Sequence, residues 1–149
     1  MTNYTQLLAQ LDALTKPVPY QIANLANASA LLYQTMDDLN WAGFYLMENG
    51  KLVLGPFQGK TACIEIPVGK GVCGTAVQEQ KTMLVKDVHQ FPGHIACDCA
   101  SNSEIVVPIW KDGQIIGVLD IDSPSVGRFT EDDQTGLEAF VRILEQNVF

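Results

Sequence analysis

No run of lysine or arginine occurs in this sequence, and its nine basic residues face 17 acidic ones, for a formal charge of −8. A phosphate backbone or an anionic bilayer would be repelled, so neither nucleic acid nor a membrane is expected as a partner. Long apolar runs are missing as well. None reaches the roughly 18 residues that a spanning helix needs. The opening stretch, Met1 to Lys16, has neither a basic start nor a long apolar segment, so no signal peptide is read there and a cytoplasmic protein is expected. Cysteine is scarce, with four residues, none at Cys-x-x-Cys spacing. In a reducing cytosol such a set is a poor structural disulfide framework, which leaves burial, metal binding or redox chemistry. His89 and His94 could join Cys97 and Cys99, but that spacing fits no common zinc pattern, and no metal or organic cofactor is expected. No linker, low-complexity tract or repeat interrupts the 149 residues, a length that fits one domain.

What is present is periodicity. Leu7, Leu8, Leu11 and Leu14 mark a helix over about Tyr4 to Leu14, which Pro17 and Pro19 end. Ile22, Leu25, Leu32 and Met36 mark a second helix over about Tyr20 to Leu39, with Ser29 on the same face. The pattern then turns to strands. Trp41 to Glu48 and Lys51 to Phe57 flank Asn49-Gly50, a strong hairpin signal. Cys63 to Val68 reads as a strand, Gly71 to Gln80 as a short helix and Met83 to Lys86 as a short strand. Asp87 to Asn102 has no period and reads as a long connection of the kind that often carries function. Glu104 to Trp110 and Gln114 to Asp122 form a second hairpin around Asp112-Gly113. Thr130 and Asp133 open a last helix with the stripe Leu137, Phe140, Val141 and Leu144. Helices at both ends of a hairpin-built sheet imply an α+β fold with an antiparallel sheet.

Two residue pairs stand out chemically. Asp120 and Asp122 are two apart in a strand, so both project from one face. Like charges so close cost energy unless a cation, a hydrogen-bond donor or a proton joins them. A strand ending in solvent could also carry them; a buried pair would make a site for an ammonium group plus a carboxyl held protonated. Trp41 and Tyr45, four apart, also share a face. Such aromatics are usually core, and could equally wall a methyl–sulfur group. Cys97 lies in a polar stretch, where a reactive thiol is more natural than a packed one.

Three stretches carry a resemblance: Trp41-Ala42-Gly43-Phe44-Tyr45; Gly69-Lys70-Gly71-Val72-Cys73-Gly74-Thr75-Ala76; and His94-Ile95-Ala96-Cys97-Asp98, continuing through Ser101-Asn102-Ser103-Glu104 to Gly117-Val118-Leu119-Asp120-Ile121-Asp122-Ser123. Together they resemble the free methionine-R-sulfoxide reductases, a family of single GAF domains. The resemblance implies one GAF domain over 1–149, a central antiparallel sheet with helices chiefly on one face, and a pocket under the 87–102 connection. It implies reduction of free methionine-R-sulfoxide, with Cys97 as the attacking thiol and Cys63 and Cys73 as the other redox cysteines. Trp41 and Tyr45 would line the substrate's methyl pocket, and Glu104, Asp120 and Asp122 would bind its polar atoms. Cys99 departs from the pattern, where a residue without a thiol is expected.

The chemistry needs a thiolate to attack sulfur, an acid for the departing oxygen and a second thiol to condense with the sulfenic acid. Cys63 is the first choice for that partner and Cys73 the reserve. A helix start near Cys73 would favour its thiolate, so it could relay the disulfide outward to a thioredoxin-type reductant. Backbone N–H groups of Ile95, Ala96 and Cys97 are candidate donors to the substrate carboxylate. A homodimer is left open, and a GAF sensor that binds a small ligand without catalysis is the alternative. The three carboxyl groups must meet, and a regular two-residue turn at Asp112-Gly113 would set Ile105 opposite Asp120 and point Glu104 to the other side of the sheet, so a bulged loop is expected. A three-residue loop, Lys111 to Gly113, would instead pair Trp110 with Gln114 and set Glu104 opposite Asp120.

Overall fold

The computed structural model describes residues 1–93 and 100–149. His94, Ile95, Ala96, Cys97, Asp98 and Cys99 lie outside the described residues. Helices α1 (Tyr4–Thr15) and α2 (Gln21–Thr35) open the chain, followed by strands β1 (Trp41–Glu48), β2 (Lys51–Gly59) and β3 (Glu65–Pro67). Helix α3 (Gly71–Glu79), strand β4 (Met83–Val85) and a 3-10 turn at Val88–Gln90 follow, then β5 (Ser103–Lys111), β6 (Gln114–Ser123) and α4 (Glu131–Asn147). All strand pairs are antiparallel, in the order β3-β2-β1-β6-β5-β4. The fold is α+β, as the periodicity implies.

The two faces of the sheet bury different things. Ala42, Phe44, Ile105, Val107, Ile109, Leu119 and Ile121 point to a core shared with α1, α2 and α4. Trp41, Tyr45, Leu52, Val106 and Val118 point the other way, toward Val72, Cys73 and Ala76 of α3. This division follows from the two-residue period of a strand.

Helix ends follow local chemistry. Thr130 and Asp133 exchange the two hydrogen bonds of a capping box, and Leu137, Phe140, Val141 and Leu144 are all fully buried. Helix α2 stops at Thr35 rather than Leu39, because Met36 is extended and Asp38 takes a left-handed φ of 60°. Ile22 is 75% exposed, and Leu25, Ala28, Leu31 and Leu32 form the buried stripe instead. Ser29 sits in that stripe by donating to Leu25 O at 2.8 Å and Pro56 O at 3.2 Å, so its hydroxyl is satisfied where it is buried. Leu14 is also largely exposed. The strand expected over Cys63 to Val68 is paired only at Glu65–Pro67.

The second hairpin differs from the expected bulged loop. Lys111 pairs with Gln114, and Asp112 and Gly113 have φ of 53° and 77°, a two-residue turn with both central residues left-handed. Such a turn matches the right-handed twist of the strands, so a loop bulge is unnecessary. The extra residue is placed further on. Trp110 pairs with Ile115 but Ile109 with Gly117, which leaves Ile116 as the bulge residue in β6. The shift brings Glu104 opposite Asp122 and Val106 opposite Asp120, rather than Glu104 opposite Asp120.

Candidate active site

The β6 bulge decides which side chains meet. Beyond it, Glu104 and Asp122 are direct cross-strand partners, with Asp120 two residues along on the same face. On the other flank of β6, Asp122 pairs with Trp41 and Asp120 with Gly43 of β1. The aromatic pair and the three acids therefore share the face covered by α3. Trp41 stacks on Tyr45 at 5.8 Å between centroids and on Phe57 of β2 at 5.1 Å. Gly43 makes this wall possible, because a Cβ there would lie 2.3 Å from Phe57 Cβ. Phe57 was not among the residues expected at the site; its sequence signal is a β2 position whose ring can be placed only once the pairing is known.

Helix α3 lowers Cys73 onto the acids. Its Sγ lies 4.0 Å from Glu104 Oε2, and donor atoms of Cys73, Glu104 and Asp120 all fall within 4.8 Å of one another. A thiolate and two carboxylates so placed could hold a cation, whether a metal ion or a protonated amine. Cys73 is 3% exposed, Glu104 7% and Asp120 5%. Asp122 is half-buried overall, but its Oδ1 is sealed from solvent and accepts no hydrogen bond among the described residues.

Burial sets the protonation. It pushes the Glu104 carboxyl well above the usual carboxylate range, with the charges of Asp120 and Asp122 adding to the effect. Asp122 is raised too, by burial first and the Asp120 charge second, against hydrogen bonds with Glu104 and Ser101 that favour its anion. Burial also raises the Cys73 thiol, and Asp120 and Glu104 raise it further. The α3 start does not favour the thiolate as expected. Cys73 is the third residue of the helix, but desolvation and neighbouring negative charge outweigh a terminal dipole worth about 0.3–1 kcal/mol.

Cys63 is disulfide-bonded, while Cys73 is free. The polar tips of the aromatic pair reach the same stretch of chain: Tyr45 OH donates to Cys63 O at 2.9 Å and Trp41 Nε1 to Lys60 O at 3.1 Å. Hydrogen bonds hold the residues on either side of 94–99. Gly71 N donates to Gly93 O at 3.2 Å, at the start of α3, and Asn40 Nδ2 to Ser101 Oγ at 2.9 Å. Ser101 also hydrogen-bonds Asp122. Neither Asn40 nor Ser101 was singled out from the sequence, where a polar residue beside a strand end carries no special signal. Cys97, Ile95 and Ala96, expected as nucleophile and carboxylate donors, lie outside the described residues.

A six-stranded antiparallel sheet, with helices α1, α2 and α4 on one face and an acidic and aromatic site on the other, defines the class, and residues 23–148 match the GAF domain family. Among curated relatives, the free methionine-R-sulfoxide reductase of Escherichia coli K12 is 57% identical over 143 residues, covering 96% of this chain and 87% of the relative. The solved fRMsr of Staphylococcus aureus in complex with substrate is 56% identical with a TM-score of 0.95, covering 100% of this chain and 97% of that one. A free methionine-R-sulfoxide reductase from Neisseria meningitidis, also solved with its substrate, is 44% identical with a TM-score of 0.94, covering 97% and 87%. The chain belongs to the free methionine-R-sulfoxide reductase family of GAF domains.

Proposed function

We propose that this chain, a single GAF domain over 1–149, reduces free L-methionine-R-sulfoxide to L-methionine. The observation that carries the reading is the convergence of Glu104, Asp120 and Asp122 beneath one aromatic wall, with burial holding two of them toward the protonated form. An anionic carboxylate among the three binds the substrate ammonium, and a neutral carboxylic acid donates to the sulfoxide oxygen. Trp41 and Tyr45 receive the methyl–sulfur end, where sulfur–aromatic contact is favourable. Backbone N–H groups at Ile95 and Ala96 take the substrate carboxylate.

Cys97 attacks the sulfoxide sulfur. Oxygen passes to the cysteine with a proton from the acid group, methionine leaves reduced by two electrons, and Cys97 becomes a sulfenic acid. Cys63 then attacks the sulfenic sulfur; an S–S bond forms and water leaves. A thioredoxin-type dithiol returns the two electrons. The disulfide at Cys63 and the free, buried thiol of Cys73 support Cys63 as the resolving residue. They also favour thiol chemistry over a sensor that only binds a ligand. No described helix is long and apolar enough to cross a membrane.

The test is NADPH consumption with thioredoxin and its reductase, using free and peptide-bound methionine sulfoxide of each epimer. Turnover is expected on the free R form alone. No turnover on that substrate with any dithiol donor would refute the enzyme reading.

A further inference from the structure

Trp41 and Tyr45 do something that an apolar wall does not require. Residues 60–64 leave β2 and reach β3 without ladder pairing, and they carry Cys63. Besides the disulfide at Cys63, three hydrogen bonds among the described residues fasten them: Trp41 Nε1 to Lys60 O at 3.1 Å, Tyr45 OH to Cys63 O at 2.9 Å and Leu54 N to Ile64 O at 2.9 Å. Two of the three come from the tips of the aromatic pair. Gly59 fits the same arrangement. Its φ is 129°, and a Cβ there would stand 2.7 Å from both Trp41 Cδ1 and Asn40 O, so the chain turns out of β2 directly against the indole. Phenylalanine at 41 and 45 would offer a methyl group a comparable wall and would remove both side-chain ties, leaving Leu54 N to Ile64 O at the end of the segment.

We propose that Trp41 and Tyr45 are positioning residues for Cys63, holding its segment against the pocket so that the thiol meets the sulfenic acid quickly. The inference rests on Cys63 being the resolving cysteine. The step it speeds is balanced within the protein: the Cys63 thiol attacks the sulfenic sulfur, the S–S bond forms, and the sulfenic hydroxyl leaves with the thiol proton as water. Tyr45 is suited to the task, because burial and the negative charge of Asp120 raise its phenol and keep it a donor. Closure requires the two Cα atoms within about 7 Å. With both side-chain ties gone, the segment around Cys63 is held at the Ile64 end by Leu54 N and spends more of its time beyond that reach.

The experiment measures disulfide closure against oxidation in the reduced full-length protein. One equivalent of hydrogen peroxide or of free methionine-R-sulfoxide is added, and sulfenic acid is trapped with dimedone at timed intervals while the Cys63 disulfide is followed by mass spectrometry. Tyr45→Phe and Trp41→Phe each lower the ratio of closure rate to oxidation rate, by roughly fivefold for one net hydrogen bond lost. Phe57→Leu is the structural control, since it loosens the stack but has no polar tip. Unchanged ratios in both tether variants overturn the proposal, and so does an equal fall in Phe57→Leu. If either tether variant fails to fold, the other carries the same comparison. Failure of the wild type to release methionine would refute the reaction proposed above, whereas closure after peroxide would still read the tether.

Discussion

Glu104→Gln should stabilise the reduced, ligand-free protein at neutral pH, and the gain should depend on pH. Glu104 and Asp122 face Asp120, with Glu104 and Asp120 buried and Asp122 Oδ1 sealed from solvent, and the Glu104 and Asp122 carboxyls are both raised. In the unfolded chain they ionise in the ordinary range, at about 4.3 and about 3.9. Above that range the native state holds more protons than the unfolded one, so stability falls as pH rises. Each retained proton costs about 1.4 kcal/mol per pH unit until the native group itself ionises. The stability these groups lend is therefore fully present below the unfolded values and lost as pH climbs through the native ones. Glutamine keeps the shape and removes one such proton equilibrium. Urea denaturation with a reductant present, from about pH 4.5 to about pH 7.5, should show the variant drawing ahead of the wild type by roughly 1.4 kcal/mol per unit before levelling off. Taking the difference between the two proteins cancels the repulsion that the −8 net charge imposes on both. Parallel stability curves, or a variant weaker at every pH, would show that Glu104 is ionised and paired in the native state. Turnover should fall even as stability rises, because the same carboxyl is the one proposed to serve the substrate.

Cys63→Ser should leave dimedone-reactive sulfenic acid to accumulate after one oxidising turnover; a disulfide forming as fast through Cys73 would assign resolution differently. Gly43→Ala should cost about 1–3 kcal/mol and disturb the Trp41–Phe57 stack, since its methyl would lie 2.3 Å from Phe57 Cβ; chemical denaturation and tryptophan fluorescence read both effects. Thr130→Ala removes the capping box of α4 and should lower stability by about 1 kcal/mol, with activity retained because α4 packs on the opposite face of the sheet from the acids.

Legibility from the sequence varied with the range of the forces involved. Helix α4 could be read almost completely, because a cap box and an uninterrupted apolar stripe act within a few residues. Strand β1 could be read to its exact bounds, since Asn49-Gly50 fixes the turn that follows. Helix α2 was read too long because the chain reverses at Asp38 through a left-handed residue, which apolar spacing does not register. At the site, the shared face of Asp120 and Asp122 followed from strand geometry alone. The meeting with Glu104 did not, because it depends on a bulge at Ile116, an apolar residue among apolar residues. The raised thiol of Cys73 was equally hidden, since a helix start is visible in sequence and the depth at which it is buried is not. Hydrogen bonds from Trp41 and Tyr45 to carbonyls 18 or 19 residues away leave no pattern in composition or period.

The bulge at Ile116 also says where this hairpin can change length. Residues 117–122 are held to β1 by an unbroken ladder from Leu46↔Gly117 to Trp41↔Asp122. Removing Ile116 would leave Ile109 opposite Gly117 and Trp110 opposite Ile115, a regular hairpin with both aspartates still facing Glu104. Removing Gly113 instead would shorten a turn that already has only two residues. Among relatives that lose one residue between these strands, the change is therefore expected beside position 116, a tolerant point in the chain between a turn with no slack and the face that carries the acids.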